Sequence, residues 1–343
     1  MGDRVDLVLD ARRGERLTVE LPLTLRRPVE ESARSLDLGD WVDLTDPIVA
    51  KGVSVVDAAA RNDPPVSLGI FGGVAHRIRC PSSNAPDRGL RRELHDLDLA
   101  CRHKEIRSVR AFLETVHERE GSALRFFATS GDRIFNSLGE GRRYRYHMLT
   151  AQQGAEVGLG TVDLLADEFR FCHRFDLRAD VDEARAHHGT LSLATLLLAK
   201  LQFVQRVPEE GAGSVQERVL EPVGRHDLAI GPEAKDVQDI LALLADHPLG
   251  EEPDAISPNR LAAVIGADPG LGHTVTLNLA LLGRSPVLSA VPDPWRATIR
   301  SRLAELGALV ARVAPRWRRS LFGGPWWEEV DAQPSVDGTL SVR

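Results

Sequence analysis

The sequence predicts an α/β (α+β) protein: a mixed sheet with flanking helices, followed by a C-terminal helical domain. Three observations carry this. Between residues 66 and 119 short apolar runs alternate with amphipathic helical stretches, in the order strand, helix, strand, helix. Four strand-like segments follow in succession, at 124–128, 142–149, 160–166 and 169–177, joined by glycine-containing turns. After Asp182 the apolar spacing turns helical.

A chain of 343 residues, 43% hydrophobic, exceeds one small core and predicts about two domains. The boundaries read as an N-terminal extension over 1–62, a sheet-containing core over 63–185, a helical domain over 186–330 and a polar tail over 331–343. Within the extension, 5–9 and 17–25 alternate as strands, 29–38 reads as a short helix, and 48–61 carries helical apolar spacing through Val53, Val56 and Ala60. Asn62-Asp63-Pro64-Pro65 stops that helix, because proline disfavours helix in the residue before it.

Residues 66–71 form a short strand that ends at Gly72-Gly73, where a helix opens over 74–78. The stretch 80–92, with Pro81, Pro86 and Gly89, reads as a mobile loop. Residues 94–101 form the next strand, and 104–119 an amphipathic helix with Ile106, Val109, Leu113 and Val116 on one stripe. In the C-terminal part, 191–207 reads as a buried, nearly all-round apolar helix, and 234–246 as a shorter amphipathic one. Ser257-Pro258 and Asp293-Pro294 each read as a cap followed by proline, starting helices to about 265 and 313.

Composition excludes several classes. The longest apolar run, 191–204, is broken by Lys200 and Gln202 and is too short for a membrane span. The charged first residues lack a signal-peptide apolar region, which predicts a cytoplasmic protein with no membrane partner. Cys80, Cys101 and Cys172 are too few for a disulfide framework. The net charge of −7 argues against bulk affinity for nucleic acid.

The chemistry concentrates in Asp96-Leu97-Asp98. On a strand, residues two apart share a face, so Asp96 and Asp98 project together, about 6–7 Å apart at the backbone. Two such carboxylates call for a cation, and a hard divalent ion such as Mg²⁺ brings substrate phosphates with it. Asp163, between Val162 and Leu164 on another strand, supplies a third carboxylate. Gly72 and Gly73, at a helix start, leave room for phosphate oxygens to approach backbone N–H groups. Three carboxylates beside a phosphate cradle can hold two Mg²⁺ ions about 3.5–4 Å apart and support in-line nucleotidyl transfer.

The ordered set Phe71-Gly72-Gly73-Val74-Ala75-His76-Arg77, Asp96-Leu97-Asp98 and Thr161-Val162-Asp163 resembles the polymerase-beta-like nucleotidyltransferase superfamily. It also looks like the bacterial nucleotidyltransferase proteins related to abortive-infection toxins. The resemblance covers about 66–205 and implies a nucleotidyltransferase-fold mixed sheet. It implies catalytic, metal-holding roles for Asp96, Asp98 and Asp163, with two Mg²⁺ ions. Gly72, Gly73 and Arg77 would contact the nucleoside triphosphate, with Lys200, a cation on an apolar helix, as a further phosphate contact. Where this chain has Gly72-Gly73 the family more often has Gly-Ser, and 80–92 lengthens the usual stretch before the paired acids.

The expected activity is transfer of a nucleoside monophosphate from a nucleoside triphosphate to an unidentified acceptor, a small molecule, a tRNA or a protein. The alternatives are a toxin-type enzyme acting on tRNA or protein, and a non-catalytic nucleotide-binding or scaffold protein on a degenerate fold of this kind. Other groups are weaker. Asp236 and Asp239 share a helix side in Lys235-Asp236-x-x-Asp239, a stretch similar to one that helps shape the site in the toxin-related proteins, and a solvated face reads equally well. Arg88, Arg91 and Arg92 read as a solvated loop, Cys172-His173 as core, and Arg312, Arg316, Arg318 and Arg319 around Trp317 as the outside of a terminal helix. His76, Cys80, Cys101 and His103 do not have the spacing of a zinc knuckle.

Overall fold

Short apolar strands build a five-stranded mixed sheet in a computed structural model of the protein. The structure describes residues 4–10, 15–20, 23–120, 124–138, 141–152, 155–203, 232–315, 333–334 and 340–341. The chain divides into two units, the first comprising 1–84, 93–168 and 176–192, the second 85–92, 169–175 and 193–343.

The first unit opens with a hairpin of β1 (Arg4–Asp10) and β2 (Glu15–Glu20). Helices α1 (Leu23–Ser35) and α2 (Pro47–Ala60) follow. Residues 23–25, expected at the end of a strand, begin α1 instead. The Asp46 carboxylate caps α2 by accepting from Ile48 N at 2.9 Å, ahead of Pro47 in the first turn. The sheet contains β3 (Leu68–Phe71), β4 (Asp96–Cys101), β5 (Arg125–Phe127), β6 (Arg143–Gln152) and β7 (Ala155–Ala166), in the order β3-β4-β7-β6-β5. β4 and β7 run parallel; the other neighbours are antiparallel. Helix α3 (Gly72–Arg79) leaves β3 directly, α4 (Ile106–Glu120) follows β4, α5 (Ser130–Leu138) joins β5 to β6, and α6 (Arg178–Glu183) comes after the sheet.

One face of the sheet is the apolar core. Leu97, Leu99, Val162 and Leu164 are fully buried there, with Ile70. Helix α2 lies against this face at Gly52, where an added Cβ would sit 3.0 Å from Leu97 and 3.4 Å from Ile70. The sequence assigns 1–62 to an extension; its α2 is instead part of the core, because Val49, Val53 and Val55 have no exposed surface outside that packing. The outer edge of β3 is covered by backbone bonds from Ile70 N to Gly189 O and from Leu191 N to Ile70 O, both 2.9 Å.

Stretch 80–92, read as one loop, contains two short 3₁₀ turns, Pro81–Ser83 and Pro86–Arg88, with Ser82 and Ser83 buried. It divides between the two units after Asn84. Helix α5 has no counterpart in the sequence reading, because Gly131 masks its start. Its N-terminal signal is Thr129-x-x-Asp132: Asp132 Oδ2 accepts from Thr129 N at 2.8 Å, and Thr129 Oγ1 accepts from Asp132 N at 3.1 Å.

The second unit is helical around a two-stranded pair, β8 (Glu168–Arg170, its first residue still in the first unit) with β9 (Arg174–Asp176, its last residue likewise). The expected single strand over 169–177 is therefore broken in the middle. Its helices are α7 (Leu193–Leu201), α8 (Ala234–Asp246), α9 (Pro258–Ala267), α10 (Pro269–Leu282), α11 (Pro286–Ala290) and α12 (Trp295–Val313). Ser257 caps α9 as expected, accepting from Arg260 N at 3.1 Å. Asp293 does not cap α12; its carboxylate pairs with Arg296 at 2.5 Å instead. Asp268-Pro269 is a true cap: Asp268 Oδ1 accepts from Gly270 N at 2.8 Å. The helix expected over 191–207 is shorter, Leu193–Leu201, with residues 202 and 203 already outside it; residues 204–207, the arginines at 316, 318 and 319 with Trp317, and most of the polar tail lie outside the described residues. Among the described residues no helix is long and apolar enough to cross a membrane.

Candidate active site

The face of the sheet opposite the apolar core carries the candidate acids. Asp98 and Asp163 are direct partners across parallel β4 and β7, and Asp96 pairs with Thr161 in the same register. Neighbouring strands lie about 4.8 Å apart, and paired residues share a face. All three aspartates therefore meet on one surface, Asp163 buried and Asp96 and Asp98 half-buried. The intervening Leu97, Leu99, Val162 and Leu164 anchor the strands from behind, which leaves the acids no alternative direction.

Gly72 closes the next edge. Phe71 is the β3 partner of Asp98, and Gly72 follows it with φ +64°. A Cβ at Gly72 would stand 1.9 Å from Asp98 Oδ2. Both the left-handed backbone and the close approach demand glycine. His76 Nδ1 donates to the Gly72 carbonyl at 2.7 Å, tying the start of α3 one turn along. Gly73 is the second residue of α3, and both glycines are buried. Arg77 is buried further along that helix; its guanidinium donates to Asn84 Oδ1 at 3.4 Å and acts electrostatically on Asp46.

Lys200 belongs to the second unit. Its ammonium lies 2.6 Å from Asp236 and 3.2 Å from Asp239. Arg92 grips Asp239 in a fork, 2.9 Å from each oxygen. Burial alone would lower the Lys200 pKa, but the two carboxylates outweigh it and hold the group charged, above its ordinary value. Asp236 and Asp239 are thus a buried acidic side rather than a solvated face, and Arg92 is a half-buried partner of Asp239 rather than a solvated loop cation.

The sequence reading missed the cations of β6, Arg143 and Arg145. Arg143, Arg145 and His147 alternate with buried Tyr144, Tyr146 and Met148. Arg145 is the direct β6 partner of Asp163, so the cations share the aspartate face. Arg145 Nε donates to Asp163 Oδ1 at 2.7 Å and its Nη2 to Oδ2 at 2.9 Å; Arg143 Nη2 reaches Oδ2 at 3.2 Å. Burial opposes the charge on Arg145, yet Asp163, with Asp132 and Asp98 behind it, raises its pKa. His147 Nε2 lies 3.2 Å from Asp132 Oδ2. The signal was present as Arg143-Tyr144-Arg145-Tyr146-His147, a period-2 pattern with cations on one face.

These contacts decide what a divalent ion meets. Among the described residues no group of three His, Cys, Asp or Glu side chains is gathered to hold a metal ion. Asp163 is committed to arginine. Asp96 and Asp98, a same-face pair on β4, fit the way Mg²⁺ is usually held, by one or two carboxylates with substrate phosphates and water completing the octahedron. Compared with protein-family models and with curated proteins, the chain matches none.

Proposed function

We propose that the chain is a magnesium-dependent nucleotidyltransferase that carries a nucleoside monophosphate from a nucleoside triphosphate to an acceptor. The observation that carries this reading is the register of β4 against β7. It sets Asp98 beside Asp163, with Asp96 two residues back and Gly72 against Asp98. Asp96 and Asp98 would hold the ion. The chemistry such an ion would supply is neutralisation of charge on the triphosphate and on the departing pyrophosphate. The chain's own part is to fix the two carboxylates on a strand whose rear face is fully packed. It also brings the bare backbone of Gly72-Gly73, at the start of α3, alongside them. The arrangement of glycine turn, paired acids and a parallel strand with a third acid supports the resemblance to the polymerase-beta-like superfamily.

One observation favours a second reading, a non-catalytic nucleotide-binding or scaffold protein: Asp163 is already neutralised by Arg145 and Arg143. Incubation of the purified chain with each α-labelled nucleoside triphosphate, Mg²⁺ and a bacterial lysate separates the two. Label passed to a small-molecule, tRNA or protein fraction, and lost in Asp98→Ala, supports the enzyme and identifies the class of acceptor. No label with any of the four nucleotides, together with unchanged thermal stability in their presence, sinks it.

A further inference from the structure

We propose that the Arg145 guanidinium takes the place of a second divalent cation at this site, so that the protein binds one metal ion, on Asp96 and Asp98, with its nucleotide. The inference rests on the nucleotidyltransferase reading and deepens it.

A carboxylate offers about four lone-pair positions, and three N–H groups already point at Asp163. Arg145 supplies two of them as a planar fork, and Arg143 the third. This is the bidentate geometry that a point-charge cation does not reproduce. A metal ion at Asp163 would have to displace that fork.

Arg145 is held from several sides. It sits in mid-strand, paired in register with Asp163 itself. Its backbone is gripped by Asn136, which accepts from Arg145 N at 2.6 Å and donates to Arg145 O at 3.1 Å. The Phe135 ring lies against both guanidiniums, with its centre 5.2 Å from Arg145 and 5.3 Å from Arg143. Phe135 and Asn136 come from α5, whose start is tied by the Thr129–Asp132 bonds. The cation is therefore built into the scaffold. A row across three strands reads Asp98, Asp163, Arg145. The fixed positive charge stands one strand beyond the third acid and interacts with Asp98 as well.

Mn²⁺, which is paramagnetic and replaces Mg²⁺ at oxygen ligands, counts the ions directly. The full-length chain is titrated with Mn²⁺ and followed by electron paramagnetic resonance, with the α,β-methylene analogues of ATP, GTP, CTP and UTP in turn. The expected result is one Mn²⁺ per chain at saturation with the analogue that binds, weakened at least tenfold by Asp98→Asn and changed less than twofold by Asp163→Asn. Two Mn²⁺ per chain, or a tenfold loss of Mn²⁺ affinity in Asp163→Asn, overturns the proposal and leaves the nucleotidyltransferase reading standing. No Mn²⁺ with any analogue overturns both. In Arg145→Ala the freed Asp163 is expected to admit a second Mn²⁺. The native chain and Asp163→Asn decide the matter without that variant if it does not fold.

Discussion

Asp98 and Asp163 stand opposite each other on adjacent parallel strands, paired at the same level of the sheet. Residues 65 positions apart in sequence are thereby set on one surface, with like charges about one strand spacing apart. Such a pair is unfavourable alone; here Asp163 is answered by two arginines, and one of them, Arg145, acts on Asp98 as well.

That relationship separates activity from stability at Asp98. Asp98→Asn keeps the shape of the side chain and removes only its charge, so the variant should still fold and unfold cooperatively. Nucleotidyl transfer should fall by roughly a hundred- to a thousandfold, the range for losing one preorganised electrostatic group. Calorimetry and the labelled-nucleotide assay, run on the same preparation, check both halves.

Gly72→Ala tests the close approach at the end of β3. The variant must place a side chain in the left-handed region and within 1.9 Å of Asp98 Oδ2. The backbone part alone should destabilise by about 1–2 kcal/mol, read as a lower midpoint in urea. Displacement of Asp98 should also weaken Mn²⁺ binding. Gly73→Ala, on the helical side of the turn, should leave the midpoint closer to that of the native chain.

Arg145 is expected to matter more for folding than any other residue of the site. Arg145→Ala takes the two-pronged guanidinium away from a buried carboxylate, and losing one member of such a pair typically destabilises by about 3 kcal/mol. Converting both partners, Arg145→Met with Asp163→Leu, should recover part of that loss, because the fork and its carboxylate go together and the remaining cost is that Arg143 loses Asp163 as well. Equilibrium unfolding of the two variants against the native chain gives the comparison.

In the second unit, acid sensitivity is expected at Asp268. Burial pushes its carboxyl pKa up, but His173 and the Leu271 and Gly270 N–H groups prevail and hold it below its ordinary value. His173 Nδ1 lies 3.1 Å from Asp268 Oδ2, and its Nε2 is 2.8 Å from Thr274 Oγ1. A carboxyl with a depressed folded-state pKa contributes stability that is present above its unfolded value of 3.8 and is lost as pH falls through the folded value. Asp268→Asn keeps a capping side chain and removes only the charge. Its stability deficit should be constant from pH 7 down to about 5 and should shrink on the way to pH 3. A deficit that stays unchanged at pH 3 would sink the assignment.

The helices and strands were legible wherever period and punctuation agreed. Helix α8 runs over 234–246 as its apolar spacing predicts, and Leu97 and Leu99 are buried behind Asp96 and Asp98 as strand alternation requires. Helix α5 was not legible, because Gly131 in its first turn reads as loop and its cap signal is short. Helix α10 hid for a similar reason: Gly270 and Gly272 follow its cap, although Asp268-Pro269 carries the same start signal as Ser257-Pro258. The cations of β6 were visible as an alternating pattern, but alternation names a face without saying what lies opposite.

By itself, the amino-acid sequence determined the class of fold, the strand that carries Asp96 and Asp98, and the glycine turn that ends the strand before it, because these depend on local periodicity and backbone freedom. Only the tertiary structure decided that Asp163 lies level with Asp98 and that Arg145 holds it. Strand order and register arise from packing between distant segments, and no local pattern encodes which residue a neighbouring strand will present.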